Sequence, residues 1–496
     1  MRSRKLMFSL LAVILVGSLA VGICGQAGAQ LGKILRLHGK GFYEIKPNGL
    51  KVLHVKGTSY ERGYQYGMLL KDEIEGTLSS GITLYALFIG NNDYEKGLKK
   101  IIEDKEVMEQ FIPPEYREEM LGMADALADE GSNLTYDDIV MWNIVNDAVM
   151  LCFGPSAEEL VPAGIRHPYP EMGCMTVRAS GKATLDGSLI VAKNMDWANT
   201  PEMREDPIVI VADPSDGGYG YLAPVYPGWI SCFEGMNEKG IAVGLQMSTS
   251  YPETMKGAGC HFLTNLILKY ADSLDDAINI LTVYPRPCGN IHHVADGKTG
   301  NSVVIEHTAN ELAVRYQEGD RDILWTTNHF NCYPGWQGYT GYNMVAQQAE
   351  AWGLGNVSTV EAWQESLARI WMGPKGRYER ARDILKEKYG EITVEKMIEI
   401  ISDRYDQKTG KVIGWDEAGV TISAGGDPRN NIVLSEDIQY YKSDKRGPCT
   451  YNGGTVWSLV MVPATGDLRI AMAGPVPAQK GPFLYLNLLE ELARMR

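Results

Sequence analysis

The 496-residue sequence predicts an α+β protein: a four-layer αββα body with antiparallel sheets, behind a mainly helical N-terminal segment. Three observations carry this. Residues 30–170 keep helical periodicity after a short β start. From Cys174 the pattern changes to strand-like runs divided by clear turns. Two helical blocks interrupt those strands, so the order is sheet, helix pair, sheet, helices, sheet. That order suits antiparallel layers better than a parallel βαβ series.

Each element has a local reason. Thr58 and Glu61 have capping-box spacing, which starts a helix there. Gly63 and Gly67 then leave a smooth face for close packing, and Asn133 or Thr135 restarts a helix. The stretch 154–170 is rich in Pro, Gly and His and reads as an exposed linker. Strands are expected at 174–180, before Asp196, and at 207–212, 219–224, 229–234 and 240–247. A helical block over 262–281 divides at Ser273, the N-cap of its second half. Strands return at 290–295, 302–307, 312–316 and 323–327. Helices follow at 359–372, 377–389 and 394–405, then strands at 457–462 and 468–473, and a helix from about Leu484.

The N-terminus reads Met-Arg-Ser-Arg-Lys, an apolar run to Ile23, then Ala27-Gly-Ala29, the pattern of a secretory signal peptide cut after Ala29. Secretion or a periplasmic location follows as an expectation. The apolar run is on the short side for a membrane anchor. Without residues 1–29, which hold three basic residues and no acid, 44 basic face 62 acidic residues, a charge of −18. Such an excess argues against nucleic acid or an anionic membrane as partner. Cys152, Cys232, Cys260, Cys288, Cys332 and Cys449 form an even set that an exported protein can pair. His292, His293 and His307 read as part of a hairpin surface, since zinc-ligand spacing is missing.

The Gly173-Cys174 junction carries the chemistry. A thiol behind glycine has unhindered access to the preceding carbonyl, and the glycine backbone can take unusual conformations. Attack and release would make Cys174 a new N-terminus. Its α-amine, with a reference pKa of roughly 7.7–8.0, would then accept the thiol proton without a histidine.

The run Gly-Cys-Met-Thr-Val-Arg178, Asp186-Gly-Ser188 and Lys193-Asn-Met-Asp-Trp197 resembles the autoproteolytic acyltransferase/hydrolase family of N-terminal nucleophile enzymes. That family includes acyl-CoA:6-aminopenicillanate acyltransferase, and bile-salt hydrolases and penicillin V acylases are related. Gly235-Met-Asn-Glu-Lys-Gly240, Thr326-Thr-Asn-His-Phe330, the helix start Gly376-Arg377-Tyr-Glu-Arg380 and the pro-segment motif Gly57-Thr-Ser-Tyr-Glu-Arg-Gly63 are similar to family motifs, in consistent order.

The resemblance implies the N-terminal nucleophile hydrolase fold. With the leader at 1–29 removed, a cut at the junction would leave a helical α-chain at 30–173 and a catalytic β-chain at 174–496, the two chains staying associated. Cys174 is then the nucleophile, Asp196 the partner of its amine, Asn328 an oxyanion donor and Arg377 a brace. Lys193 stands where bile-salt hydrolases have arginine, and Gln246 where they have a second oxyanion asparagine; both are possible oxyanion or substrate contacts. His329 is next to Asn328, but adjacent strand residues face opposite ways, which counts against it as a base. The implied activity is hydrolysis or acyl transfer at a linear amide C–N bond through a thioester, on a small N-acyl amide or lipid-like substrate, without metal or cofactor. The competing readings are a phospholipase B-like or ceramidase-like lipid acyl hydrolase, an inactive secreted binding protein, and a papain-like enzyme with a distant histidine.

Overall fold

The structure is a computed structural model that describes residues 32–90, 93–151, 173–197, 200–248, 250, 254–316, 322–331, 372–406, 410–412, 455–473 and 477–496. The expected leader, the 154–170 linker, nearly all of the 359–372 helix, and Cys152, Cys332 and Cys449 lie outside the described residues.

Strands β1 (Lys33–His38), β2 (Gly41–Ile45) and β3 (Lys51–Gly57) lead into helices α1 (Ser59–Ile89), α2 (Tyr94–Met108), α3 (Pro114–Asp129) and α4 (Tyr136–Leu151). After the junction come β4 (Gly173–Ala179), β5 (Ile190–Asp196), the short α5 (Pro201–Glu205), β6 (Ile208–Pro214), β7 (Tyr221–Val225), β8 (Glu234–Asn237) and β9 (Ile241–Met247). Helices α6 (Cys260–Tyr270) and α7 (Leu274–Val283) precede β10 (Asn290–Asp296), β11 (Asn301–His307), β12 (Leu312–Tyr316) and β13 (Ile323–Thr326). Then follow α8 (Met372–Glu387), α9 (Val394–Ile401), β14 (Tyr405–Asp406), β15 (Lys411–Val412), β16 (Thr455–Val462), β17 (Asp467–Met472), β18 (Leu484–Asn487) and α10 (Leu488–Met495).

Ten strands form one sheet in the order β1-β2-β3-β6-β7-β8-β9-β10-β11-β12, and six form a second, β13-β4-β5-β16-β17-β18. Neighbours run antiparallel, apart from the parallel β3–β6 pair. Helices α6 and α7 pack on β8 to β11, β4 faces β9 across the sheets, and α8 and α9 cover β4, β5, β13 and β16. These contacts build the expected αββα layers. Helix α1 adds to the layer on the large sheet through β2, β3 and β6.

The helical segment is held by its own sequence signals. Glu61 N–H donates to Thr58 Oγ1 at 3.3 Å and Thr58 N–H to Glu61 Oε2 at 2.8 Å, so the expected capping box is made. Thr135, not Asn133, caps α4, accepting from Asp138 N–H at 3.3 Å. A Cβ on Gly63 would lie 1.8 Å from the Glu119 carbonyl oxygen, so α1 and α3 touch backbone to backbone there. Buried Arg62 reaches Glu119 at 2.8 Å and Asp216 at 3.1 Å, tying α1 to α3 and to the loop after β6.

Several expectations are corrected. Residues 229–233 are a buried loop: Asn143 donates to the Gly228 carbonyl at 2.8 Å and accepts from Ile230 N–H at 3.0 Å. That side chain satisfies the backbone a neighbouring strand would have paired, and an apolar run alone cannot reveal it. Residues 484–487 are strand, and helix starts only where Asn487 caps α10. Gly376-Arg377 lies within α8, not at its start. His292, His293 and His307 do sit on the β10–β11 hairpin but are fully buried; burial pushes His292 down to about 3 and the other two further, so they are neutral core groups. Cys232, Cys260 and Cys288 are buried free thiols, which removes half of the set expected to pair.

Candidate active site

Cys174 occupies the second position of β4 and is buried. Its backbone N–H donates to Asn328 Oδ1 at 2.8 Å, and its carbonyl accepts from Arg377 Nη1 at 2.7 Å. Arg377 Nη2 also donates to Asn328 Oδ1, at 3.0 Å. The fork of one guanidinium therefore spans the Cys174 backbone and the side chain holding it. Gly173 pairs with Asp196 across β4–β5. A Cβ at Gly173 would lie 2.6 Å from Arg377 Nη2 and 3.2 Å from Asp196 Oδ2, so this glycine makes room for both groups.

Asp196 ends β5 with one oxygen 3.9 Å from Arg377 Nη1 and the other accepting from Thr455 Oγ1 at 2.5 Å. Lys193, on the same strand, is fully buried and paired with Glu234 at 2.8 Å. Trp457 Nε1 donates to the other Glu234 oxygen. Gly244 passes close beneath, where a Cβ would meet Thr176 Oγ1 at 2.7 Å and Lys193 Cδ at 3.1 Å. Burial pushes the Cys174 thiol up; the Lys193 charge opposes this, while Asp196 and Glu234 reinforce it. In the uncut chain the thiol is thus held protonated, with Met195 Sδ 3.8 Å from its sulfur.

Gly173, Cys174, Asp196, Asn328 and Arg377 come together as one site, with Lys193 buried at its floor. Gln246 does not join them: its amide bonds Thr176 Oγ1 and Thr326 Oγ1, side chains on strands of the opposite sheet. Those bonds occupy the group that the resemblance assigned to an oxyanion. Asn328 Nδ2 is likewise engaged, donating to the Met247 carbonyl at 2.9 Å. His329 bonds Thr327 and meets the Tyr378 ring edge-on, and none of its described contacts is to Cys174. Thr455, Glu234 and Trp457 escaped the sequence reading. The site does not include the Gly235–Gly240 motif: Asn237 there bonds its own turn and the end of α6, and Gly240 takes a positive φ of 78°.

Residues 183–421 match the model of the acyl-coenzyme A:6-aminopenicillanic acid acyl-transferase family. Over that stretch the chain is similar to that family. The match takes in Lys193, Asp196, Gln246, Asn328 and Arg377 and begins after the Gly173-Cys174 junction. An uncharacterized protein of Archaeoglobus fulgidus is 27% identical over 403 residues, covering 79% of this chain and 64% of that protein. Protein dcd1B of Dictyostelium discoideum is 23% identical over 281 residues, 52% of this chain and 50% of its own. The chain thus spans half to under two thirds of the length of these curated relatives. Among solved structures, a variant of conjugated bile acid hydrolase from Clostridium perfringens is 13% identical, covers 64% of this chain and 93% of its own, and has a TM-score of 0.36. Penicillin V acylase from Agrobacterium tumefaciens is 13% identical over 64% of this chain and 86% of its own, with a TM-score of 0.35. The layers of this chain are αββα with antiparallel sheets, as the sequence predicts.

Proposed function

We propose that this chain is an exported precursor that cuts itself between Gly173 and Cys174, then works as a cysteine amidohydrolase or acyltransferase on linear amide C–N bonds. One observation carries the reading: the nitrogen the cut would free is already held by Asn328 Oδ1, beside Arg377 and Asp196. In the cut, Cys174 Sγ attacks the Gly173 carbonyl, and the C–N bond breaks as its nitrogen takes a proton. Water then hydrolyses the thioester, leaving a Gly173 carboxylate, a free thiol and an α-amine.

In turnover that amine takes the thiol proton, having a reference pKa of roughly 7.7–8.0. The thiolate attacks the substrate carbonyl, the leaving amine takes the proton, and water or an acceptor amine resolves the acyl-cysteine. Asn328 and Arg377 act as positioning residues for the amine, and Asp196 is placed to stabilise its charged form. The α-chain stays attached because β1–β3 belong to the large sheet. The leader at 1–29 supports export, and the acidic balance supports a small uncharged or cationic substrate over nucleic acid.

The test is the intact mass of purified wild type beside Cys174→Ala. A fragment starting at Cys174 is expected in wild type alone; a single uncut chain in both defeats the reading and favours the binding protein. N-acyl amides incubated with the cut enzyme then report hydrolysis or transfer.

A further inference from the structure

Far from Cys174 in the sequence, a second cluster of chemically active groups lies wholly in the interior. Asp147 on α4, and Cys260 and His261 at the start of α6, bring a carboxylate oxygen, a thiol sulfur and a ring nitrogen within 4.8 Å of one another, all fully buried. His261 Nε2 faces Asp147 Oδ2 at 3.6 Å. That separation is too long for a hydrogen bond, and neither atom has another hydrogen-bond partner. Two donors on one tetrahedral ion, with bonds near about 2.0–2.3 Å, stand roughly 3.3–3.8 Å apart.

The surroundings fit a ligand set. Ser231 Oγ lies 2.7 Å from His261 Nδ1, so it fixes the ring and leaves Nε2 as the coordinating nitrogen. Cys260 N–H donates to Asp147 Oδ1 at 3.0 Å and orients the carboxylate. The Cys288 thiol donates to the same oxygen at 3.7 Å and helps to hold the carboxylate. No lysine or arginine pairs with Asp147 among the described residues.

The contrast with Glu44, His54 and Glu491 is informative. That cluster also gathers potential ligands, but Lys46 and Arg494 bind its carboxylates and supply the positive charge. The order Ser231, His261, Asp147 also resembles a hydrolytic triad. It lacks the second hydrogen bond, however, and Ser231 is itself buried.

We propose that Asp147, Cys260 and His261 form a structural site for a divalent zinc-like cation. Binding replaces the Cys260 thiol proton with the metal and releases that proton to solvent. One carboxylate and one thiolate just neutralise a divalent ion. Sequence spacing conceals the set, because Asp147 lies 113 residues before Cys260. The ligands also come from both sides of the Gly173-Cys174 junction, so the ion would staple the two fragments together. That stapling rests on the proposed cut; the site itself does not.

The test uses wild type and uncut Cys174→Ala, both purified from zinc-supplemented culture. Plasma mass spectrometry should find about one zinc per chain in each. Cys260→Ser and His261→Gln should each lose it. Because those variants could misfold, chelator-stripped wild type is also titrated with zinc. Its thermal midpoint should rise by several degrees, and cobalt in place of zinc should give a thiolate-to-metal absorption band. Metal-free wild type whose midpoint ignores zinc overturns the proposal, as does zinc retained in both variants.

Discussion

Arg377 Nη2 and Cys174 N–H both donate to a single atom, Asn328 Oδ1, at 3.0 and 2.8 Å. The oxygen is thereby fixed before any substrate arrives, as a preorganised site requires. Asn328→Ala removes the shared acceptor and is expected to lower turnover by about 10²- to 10³-fold, the scale of losing one preorganised polar contact. Arg377→Lys keeps the charge but not the planar fork, and should slow turnover and the self-cut together. Single-turnover kinetics of each variant decide whether the two losses are linked.

Gly173 is closed in by Arg377 and Asp196, so Gly173→Ala forces the guanidinium away from Cys174. The cut should slow by roughly tenfold to a hundredfold, as a displacement near 1 Å at a reacting centre does. A time course of intact mass after refolding reads the rate. Cutting at the wild-type rate would show that Arg377 has room to move.

Lys193 and Glu234 are fully buried and 2.8 Å apart. Lys193→Met strands a buried carboxylate and should cost about 3–5 kcal/mol, while pairing it with Glu234→Gln should restore much of the loss. Denaturant melts of the two single variants and the double variant give the coupling directly. Equal and additive losses would contradict it.

Stability at low pH should depend on Glu491. Burial opposes its charge, but bonds from His54 and Lys46 outweigh burial and hold it at about 2, below its ordinary 4.5. Its folded value is depressed, so its contribution is complete above the unfolded value and is lost as pH falls from 4.5 toward 2. Glu491→Gln should therefore flatten the acid limb of the melting profile across that window. At neutral pH the variant should be less stable, by about 3–5 kcal/mol, for breaking a buried ion pair.

What could be read from the sequence was local or lay in ordered motifs. Thr58, Thr135 and Ser273 announce helix starts because a cap needs only a neighbour three residues on. Cys174, Asp196, Asn328 and Arg377 were legible because their motifs follow one another in a recognisable order. Thr455 was not, because it meets Asp196 only through the β5–β16 register, 259 residues apart, and looks like any strand threonine. Glu234 was hidden the same way, at the start of a strand whose neighbours are apolar. His292, His293 and His307 misled because imidazoles are read as polar, whereas neutral buried rings fit a core, those of His292 and His307 stacking at 5.3 Å.

The parallel β3–β6 pair has a consequence for the life of a molecule severed at Cys174. The two halves of the proposed cut would share a hydrogen-bonded seam between the third and fourth strands of the ten-stranded sheet, formed while they were one chain. Pulling them apart would bare β6 as a raw edge, open to pairing with any other strand. Folding would then be a single-use event: the proposed cut would discard the connection that brought β3 to β6, and an unfolded molecule would reassemble only by a second-order search that competes with aggregation.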